Sequence, residues 1–248
     1  MSKQFSSVWT REPRQARASG LDREQIVAAA MEILDAEGLA ALSMRKLGAA
    51  LDAGATSLYW HVATKDELLE LVLDEFWGTL DILEPEQASW REVVTSFAHG
   101  LRHAMIAHPW SASLVGHLPS MGPNSLRLTD RLRRTFVRAG FTGIDVYLAS
   151  GTVMCFVLGQ VIPEIAWRTT LGGDDDARDA LIEQTLELAG DYPEMVAEYR
   201  AAPPIHDATA REIAFDFGLV CALDGLAARL RQPGENYGAS TESTSHHG

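Results

Sequence analysis

Residues 43–62 read SMRKLGAALDAGATSLYWHV, and this stretch decides the fold. Ser43 is placed to cap a helix by accepting a backbone N–H, and Met44, Leu47 and Leu51 then recur at i, i+3 and i+7 on one apolar face. Asp52, Ala53 and Gly54 form a short break in which Gly54 is expected to take the left-handed backbone. A second helix of about two turns restarts near Ala55. On it Leu58 and Val62 point inward, which leaves Ser57, Trp60 and His61 on another face with Thr56 and Tyr59 beside them. Hydroxyl, phenol, indole and imidazole donors on one short helix suit a groove lined with phosphates and base edges. The competing reading is that Tyr59 and Trp60 only seal a small three-helix core.

Outward from this segment, Asp22 opens a periodic helix in which Ile26, Ala30, Ile33 and Leu34 share a face up to Gly38. Lys65 and Asp66 begin another, with Leu68, Leu69, Val72, Leu73, Phe76 and Trp77 as a wide apolar stripe, expected to run to Glu84, Pro85 and Glu86. The remainder shows no sustained strand alternation. Helices are predicted near 89–107, 110–118, 124–139, 143–168, 176–200 with a break at Pro193, and 206–231. The fold class is therefore all-α. The expected divisions are a disordered basic arm over 1–20, a helix-turn-helix unit over 21–67, a larger helical domain over 68–231 and a disordered tail over 232–248.

Composition agrees once charge is divided along the chain. The formal net charge is −13, but residues 1–65 hold 8 Lys/Arg and 7 Asp/Glu, so the acid lies away from the proposed reading head. Lys3, Arg11, Arg14 and Arg17 make the leader locally basic, fit either for tracking phosphates or for plain solvation. The longest apolar region, Val146 to Ile165, is broken by Ser150, Thr152, Gln160 and Pro163, so no membrane partner is expected. The leader lacks the apolar core of a signal peptide, and Cys155 and Cys221 read as buried thiols; both point to a cytoplasmic protein.

The segment 43–62 closely resembles the DNA-binding domain of the tetracycline-repressor (TetR) family of bacterial transcription regulators. LYWHV followed by Lys65 resembles the tetracycline-repressor branch itself. The resemblance extends to Trp90, the Ala107-His108-Pro109 stop, the RAGF turn at 138–141 and the terminal FDFGLVCALDGLAARL. It implies that Tyr59, His61 and Lys65 hold phosphates, that Trp60 lies against the backbone, and that Arg45 reads a base. The base-reading start of the recognition helix falls on Ala55, Thr56 and Ser57. Two departures stand out: Asp52 replaces the family's turn glycine, and Met44 replaces a branch threonine.

The final predicted helix sets Gly218 and Gly225 seven apart, with Ala222 and Leu226 on an adjacent stripe. Small residues at that spacing permit close helix approach, and the expected use is a homodimer seam, with intramolecular packing as the alternative. The resemblance pairs this helix with the long one over 143–168 across a two-fold axis. It also implies a small-molecule cavity in the larger domain. In the tetracycline branch a histidine and a glutamate on the long helix hold drug and magnesium; here those places carry Cys155 and Pro163, with Glu164 one step off. Phe97 and Leu101 stand where the branch has an asparagine and an aromatic. The expected effector is thus mostly apolar or aromatic, held without metal among Phe97, Leu101, Met105, Met154 and Cys155, with His117 or Glu164 as a polar anchor.

His99, His103 and His108 have no HExxH, paired cysteines or fixed third ligand beside them, so no metal site is expected. Neither a phosphate loop nor a nucleophile elbow is present, and no cofactor or catalytic residue is assigned. The reading is a homodimeric DNA-binding repressor released from operator DNA by a small molecule. Its rivals are an activator, a regulator without a ligand, and a helical enzyme using the C-terminal cavity.

Overall fold

Asp22 begins helix α1 (Arg23–Glu37): its carboxylate accepts the Gln25 N–H at 2.8 Å while the Gln25 side chain accepts the Asp22 N–H at 3.1 Å. The reciprocal cap satisfies two donors that the helix cannot pair internally. The computed structural model describes residues 7–10, 21–172, 175–202 and 207–231, and of residues 55, 56, 171, 175 and 207 the backbone alone. Among the described residues every regular element is helical. Helices α2 (Met44–Ala50) and α3 (Ala55–His61) follow, then α4 (Lys65–Gly78). Ser43 caps α2 by accepting the Lys46 N–H at 3.2 Å, and Thr64 caps α4 through the Glu67 N–H at 3.1 Å. Ile26, Ala30, Leu47, Leu58, Val62 and Leu68 are fully buried together, forming the core of the head.

The turn between α2 and α3 differs from expectation. Asp52 adopts the left-handed backbone (φ 47°), whereas Gly54 is extended (φ −64°, ψ 141°) and serves as the N-cap of α3. The position just after a helix C-cap is where the chain reverses its curl, and here that position is Asp52, behind the C-cap Leu51. A short polar side chain tolerates this conformation better than other L-residues.

The body consists of α5 (Trp90–Ala107), a 3-10 turn (Pro109–Ser113), α6 (Pro123–Ala139), α7 (Asp145–Leu171), α8 (Asp175–Leu188), α9 (Pro193–Ala201) and α10 (Asp207–Arg231). α5 and α7 pack on each other and on α6, with α10 laid against both. Two expected elements come out shorter, and a third breaks where expected. α4 stops at Gly78, and the 3-10 turn ends at Ser113 because Gly116 (φ 85°) turns the chain away. The run 176–200 divides at Ala189–Tyr192, ahead of Pro193, which starts α9 because proline lacks the N–H an interior position requires. By length and composition α7 is apolar enough to cross a membrane, but one of its faces is committed to the core through Val146, Ala149, Val153, Val157, Val161 and Ile165.

Part of the leader is ordered, which corrects the expectation of disorder for residues 7–10. Ser7 and Val8 are buried, the Ser7 hydroxyl donates to Glu70 of α4, and the Val8 N–H donates to the same carboxylate at 3.2 Å. A buried carboxylate has to be paired, and Glu70 finds its donors in this segment. The rest of 1–20 and all of 232–248 lie outside the described residues.

Head and body meet along α4. Asp74 is buried on α4, and its two carboxylate oxygens accept the Ser125 and Asn124 N–H groups at 3.0 and 3.1 Å, capping α6 from another helix. Gly122, the N-cap of α6, has no side chain to do this, and a Cβ there would overlap the Asp74 carboxylate. On the other side, Asp35 of α1 accepts the Trp110 Nε1–H at 2.6 Å and pairs with His108 Nδ1 at 2.7 Å. Phe76 packs edge-on against Trp77, His108 and Trp110 behind that contact.

Two stability predictions follow from these geometries. Asp74→Ala strands two N–H groups and should lower unfolding stability by about 1–3 kcal/mol, with Gly122→Ala also destabilising because the carboxylate is pushed off its donors. Urea midpoints unchanged in both variants would show that the cap contributes nothing. Asp52→Gly should raise stability by up to about 1 kcal/mol by relieving the left-handed backbone. Gly54→Ala, whose Cβ has open space, should cost about 1 kcal/mol or less, the difference between glycine and alanine as an N-cap; destabilisation by Asp52→Gly would overturn the assignment of the left-handed position to Asp52.

Candidate functional site

α2 and α3 both carry exposed polar and aromatic side chains. Ser43 and Arg45 of α2 are exposed, Tyr59 and Trp60 of α3 are about half exposed, and Ser57 and His61 are partly buried. The side chains of Ala55 and Thr56 lie outside the described residues, although the backbone places both in the first turn of α3. Tyr59 and Trp60 therefore do not seal the core of the head; Leu58 and Val62 do. Ser43 is engaged in its cap. Lys65 is partly buried, and its ammonium donates to the carbonyls of Leu42 at 2.7 Å and Leu39 at 3.4 Å. It clamps the loop in front of α2, a role not anticipated from the sequence, and the third donor of the ammonium is left for another acceptor.

In the body, the residues expected to line a pocket scatter. Phe97, Leu101 and Met105 are fully buried core of α5, Met154 is half-buried, and Cys155 and His117 are exposed. Glu164 of that set lines a cavity that measures about 370 Å³ and lies between α5, α7 and α10. Its walls are Arg102, Gln160, Pro163, Glu164, Trp167, Arg211, Ala214 and Phe215. Arg102 was missed, although it occupies the same helical stripe as Ala98, Leu101 and Met105, and an arginine on an apolar stripe is a signal in itself. A second, more polar cavity of about 340 Å³ lies between the end of α4 and α6, beside Trp77, Asn124, Arg127 and Arg131.

The expected seam on α10 also divides. A Cβ on Gly218 would stand 2.6 Å from the Phe156 ring of the same chain, so Gly218 serves intramolecular packing of α10 on α7. Ala222 and Leu226 are half-buried, Leu226 against the core, while Gly225 faces open space. Beside it runs an exposed apolar face: Ile213, Phe217 and Val220 on α10, with Ile144, Tyr147, Leu148 and Ile162 on α7. Cys155 and Cys221 are exposed on the same helices, not buried as expected. Of the histidines considered as ligands, His99 faces Asp216 at 3.3 Å and His108 faces Asp35.

Comparison with known proteins gives this geometry its context. Residues 26–72 match the family described as bacterial regulatory proteins, tetR family, and residues 84–230 match the tetracyclin repressor-like C-terminal domain. A transcriptional regulator of the HTH type from Saccharopolyspora erythraea is 37% identical over 90% of this chain and 92% of its own length. The HTH-type transcriptional repressor DrrR1 of Streptomyces coeruleorubidus is 30% identical over 90% of this chain and 83% of its own. Among solved structures, the Streptomyces coelicolor TetR family protein ActR in complex with actinorhodin superposes with a TM-score of 0.72 at 27% identity, over 86% of this chain and all of ActR. With head and body both matched, the chain belongs to the TetR family of bacterial transcription regulators.

Proposed function

We propose that this protein is a cytoplasmic homodimeric repressor that binds a palindromic operator and leaves it when a small, mostly apolar or aromatic effector occupies the body. The observation that carries the reading is the joint exposure of Arg45, Tyr59 and Trp60 on α2 and α3 while Leu47, Leu58 and Val62 close the core behind them. Such exposed groups carry the donor chemistry that suits a DNA surface. In this reading Arg45 and the start of α3 (Ala55, Thr56, Ser57) address bases, and Ser43, Tyr59, Trp60, His61 and Lys65 address the backbone.

Dimerisation is assigned to the exposed apolar face of α7 and α10. Exposed residues there recur at helical spacing, 144, 147 and 148 on one helix and 213, 217 and 220 on the other, which is half of a four-helix bundle. Gly225 is retained in the seam because a partner helix could approach it, and Ala222 and Leu226 flank it. The effector is assigned to the α5–α7–α10 cavity and not to Phe97, Leu101 or Met105, which are filled core. Repression is preferred to activation by the likeness to DrrR1, a transcriptional repressor.

The test begins with selection of duplexes from a random pool by the full-length chain. An inverted repeat with half-sites about 34 Å apart, or a simple multiple, is expected from two-fold symmetry on B-DNA. Arg45→Ala should cost about 1–3 kcal/mol of discrimination at one base pair of each half-site. Lys65→Ala should weaken every duplex alike, flatten the salt dependence and lower the melting temperature through its lost loop clamp. A selected site without symmetry, or an Arg45→Ala variant with wild-type base preference in mobility-shift titrations, would remove the reading.

A further inference from the structure

α6 carries five arginines, and the contacts of the fold account for four of them. Arg131 donates to the Ile82 carbonyl at 2.8 Å and pairs with Glu84, Arg134 pairs with Glu86 at 3.0 Å, and Arg138 donates to the Pro85 carbonyl at 2.9 Å. These three fasten the loop after α4 onto α6. Arg133 pairs with Asp130 of its own helix at 2.7 Å. Arg127 differs: it is exposed, its Nη2 donates to the neutral Oδ1 of Asn124 at 2.6 Å, and among the described residues it meets no carboxylate. A guanidinium has five N–H donors, so most of those on Arg127 are uncommitted.

Arg127 borders the polar cavity of about 340 Å³ between the end of α4 and α6. The wall contributed by the end of α4 includes Asp81, which is exposed and whose carboxylate has no hydrogen bond or ion pair among the described residues. That wall is also the C-terminal end of a fourteen-residue helix, which carries partial negative charge. The cavity thus has a cationic wall on α6 and an anionic wall at the end of α4, and the two uncommitted charges are not paired with each other. Gly78 sits between them: a Cβ there would stand 2.8 Å from Nδ2 of Asn124, an amide nitrogen that has no acceptor among the described residues. Leu80 is half-buried and gives the space a small apolar surface, whereas Trp77 is buried with its indole N–H on Ser120.

We infer that the α4–α6 cavity binds a small zwitterion of the amino-acid class, its carboxylate on the Arg127 guanidinium and its ammonium on Asp81 at the end of α4. A simple anion would meet Asp81 and the negative end of α4, and a simple cation would meet Arg127; a molecule with both charges satisfies both walls. The carboxylate matches the paired N–H donors of a guanidinium geometrically, and the Asn124 amide stands beside them. The volume lies at the low end of the range for small-molecule sites, as a ligand of this size requires. The site shares no lining residue with the α5–α7–α10 cavity, so the inference is independent of the effector assigned there.

Calorimetric titration of the full-length chain with L-leucine, with L-leucinamide, which keeps only the ammonium, and with N-acetyl-L-leucine, which keeps only the carboxylate, separates the two ends. Leucine should bind about tenfold or more tightly than either analogue. Arg127→Gln should weaken leucine and N-acetyl-leucine by about tenfold and leave leucinamide unchanged. Asp81→Asn should do the reverse, weakening leucine and leucinamide by about tenfold and sparing N-acetyl-leucine. Both side chains are exposed and neither holds an ion pair, so the melting temperature of the unliganded variants should match wild type. Saturating leucine should raise the melting temperature of the wild-type chain, because a ligand that binds only the folded state stabilises it. No leucine binding at millimolar concentration, equal affinity for all three compounds, or loss in only one of the two variants would overturn the inference.

Discussion

The carboxylate of Asp74 is the point at which the two parts of the molecule become one. It is carried by α4, whose first half closes the core of the head, and it caps α6, which packs on α4, α5 and α7. Without it α6 would start on a glycine and a proline, with buried N–H groups and no acceptor. The approach is close enough that position 122 has no room for a β-carbon, so the register of α4 on α6 is set by sterics and by charge at the same place. The pairing of Asp35 with His108 and Trp110 ties α1 to the body from a second direction, and two such points oppose free rotation of the head.

Buried charge recurs at the junctions between distant segments. Glu70 joins α4 to residues 7 and 8, Asp74 joins α4 to α6, and Glu164 joins α7 to α5. The net stabilisation from each is modest, since every ion or carboxylate loses its water on burial. The penalty for mispairing is larger: a buried charge left without a partner costs about 3–5 kcal/mol. These contacts therefore act less as adhesive than as a specification of which surfaces meet.

That division explains what was legible in the sequence. Apolar periodicity at 3.6 residues found the helices of the head, because Ile26, Ala30, Leu47 and Leu58 face a core built from neighbours in the chain. Local capping chemistry located Asp22 and Ser43 for the same reason. The turn went astray by two residues, since Gly54 advertises conformational freedom while Asp52 occupies the position that requires it. Contacts between residues 50 to 75 apart, such as Asp74 with Asn124 or Asp35 with Trp110, leave no periodic trace. The pocket residues were harder to read for a related reason. Phe97, Leu101 and Met105 read equally well as cavity wall or as core, whereas the cavity is marked by charges, Arg102 and Glu164, that become meaningful only when α5 is laid on α7. Gly218 likewise has small-residue spacing whose partner, Phe156, belongs to the same chain.

A ligand between α5, α7 and α10 has no direct contact with α3, so any effect on DNA has to pass through the packing of the body. It can do so only by binding two arrangements of the head unequally. α5 is common to the cavity and to the contact with α6, and α6 is held at its start by Asp74 of α4. A shift of α5 that moved α6 would either carry α4 with it or pull the α6 N–H groups off the carboxylate. The second course exposes two unpaired donors to a buried site, at about 1–3 kcal/mol each, so the first is favoured unless the ligand supplies more than that. The cap thus makes α4 and α6 move as one body, and α4 continues directly into the turn behind α3. Close packing at Gly122 leaves little slack in that linkage, which is why a glycine remote from both DNA face and cavity belongs to the coupling between them.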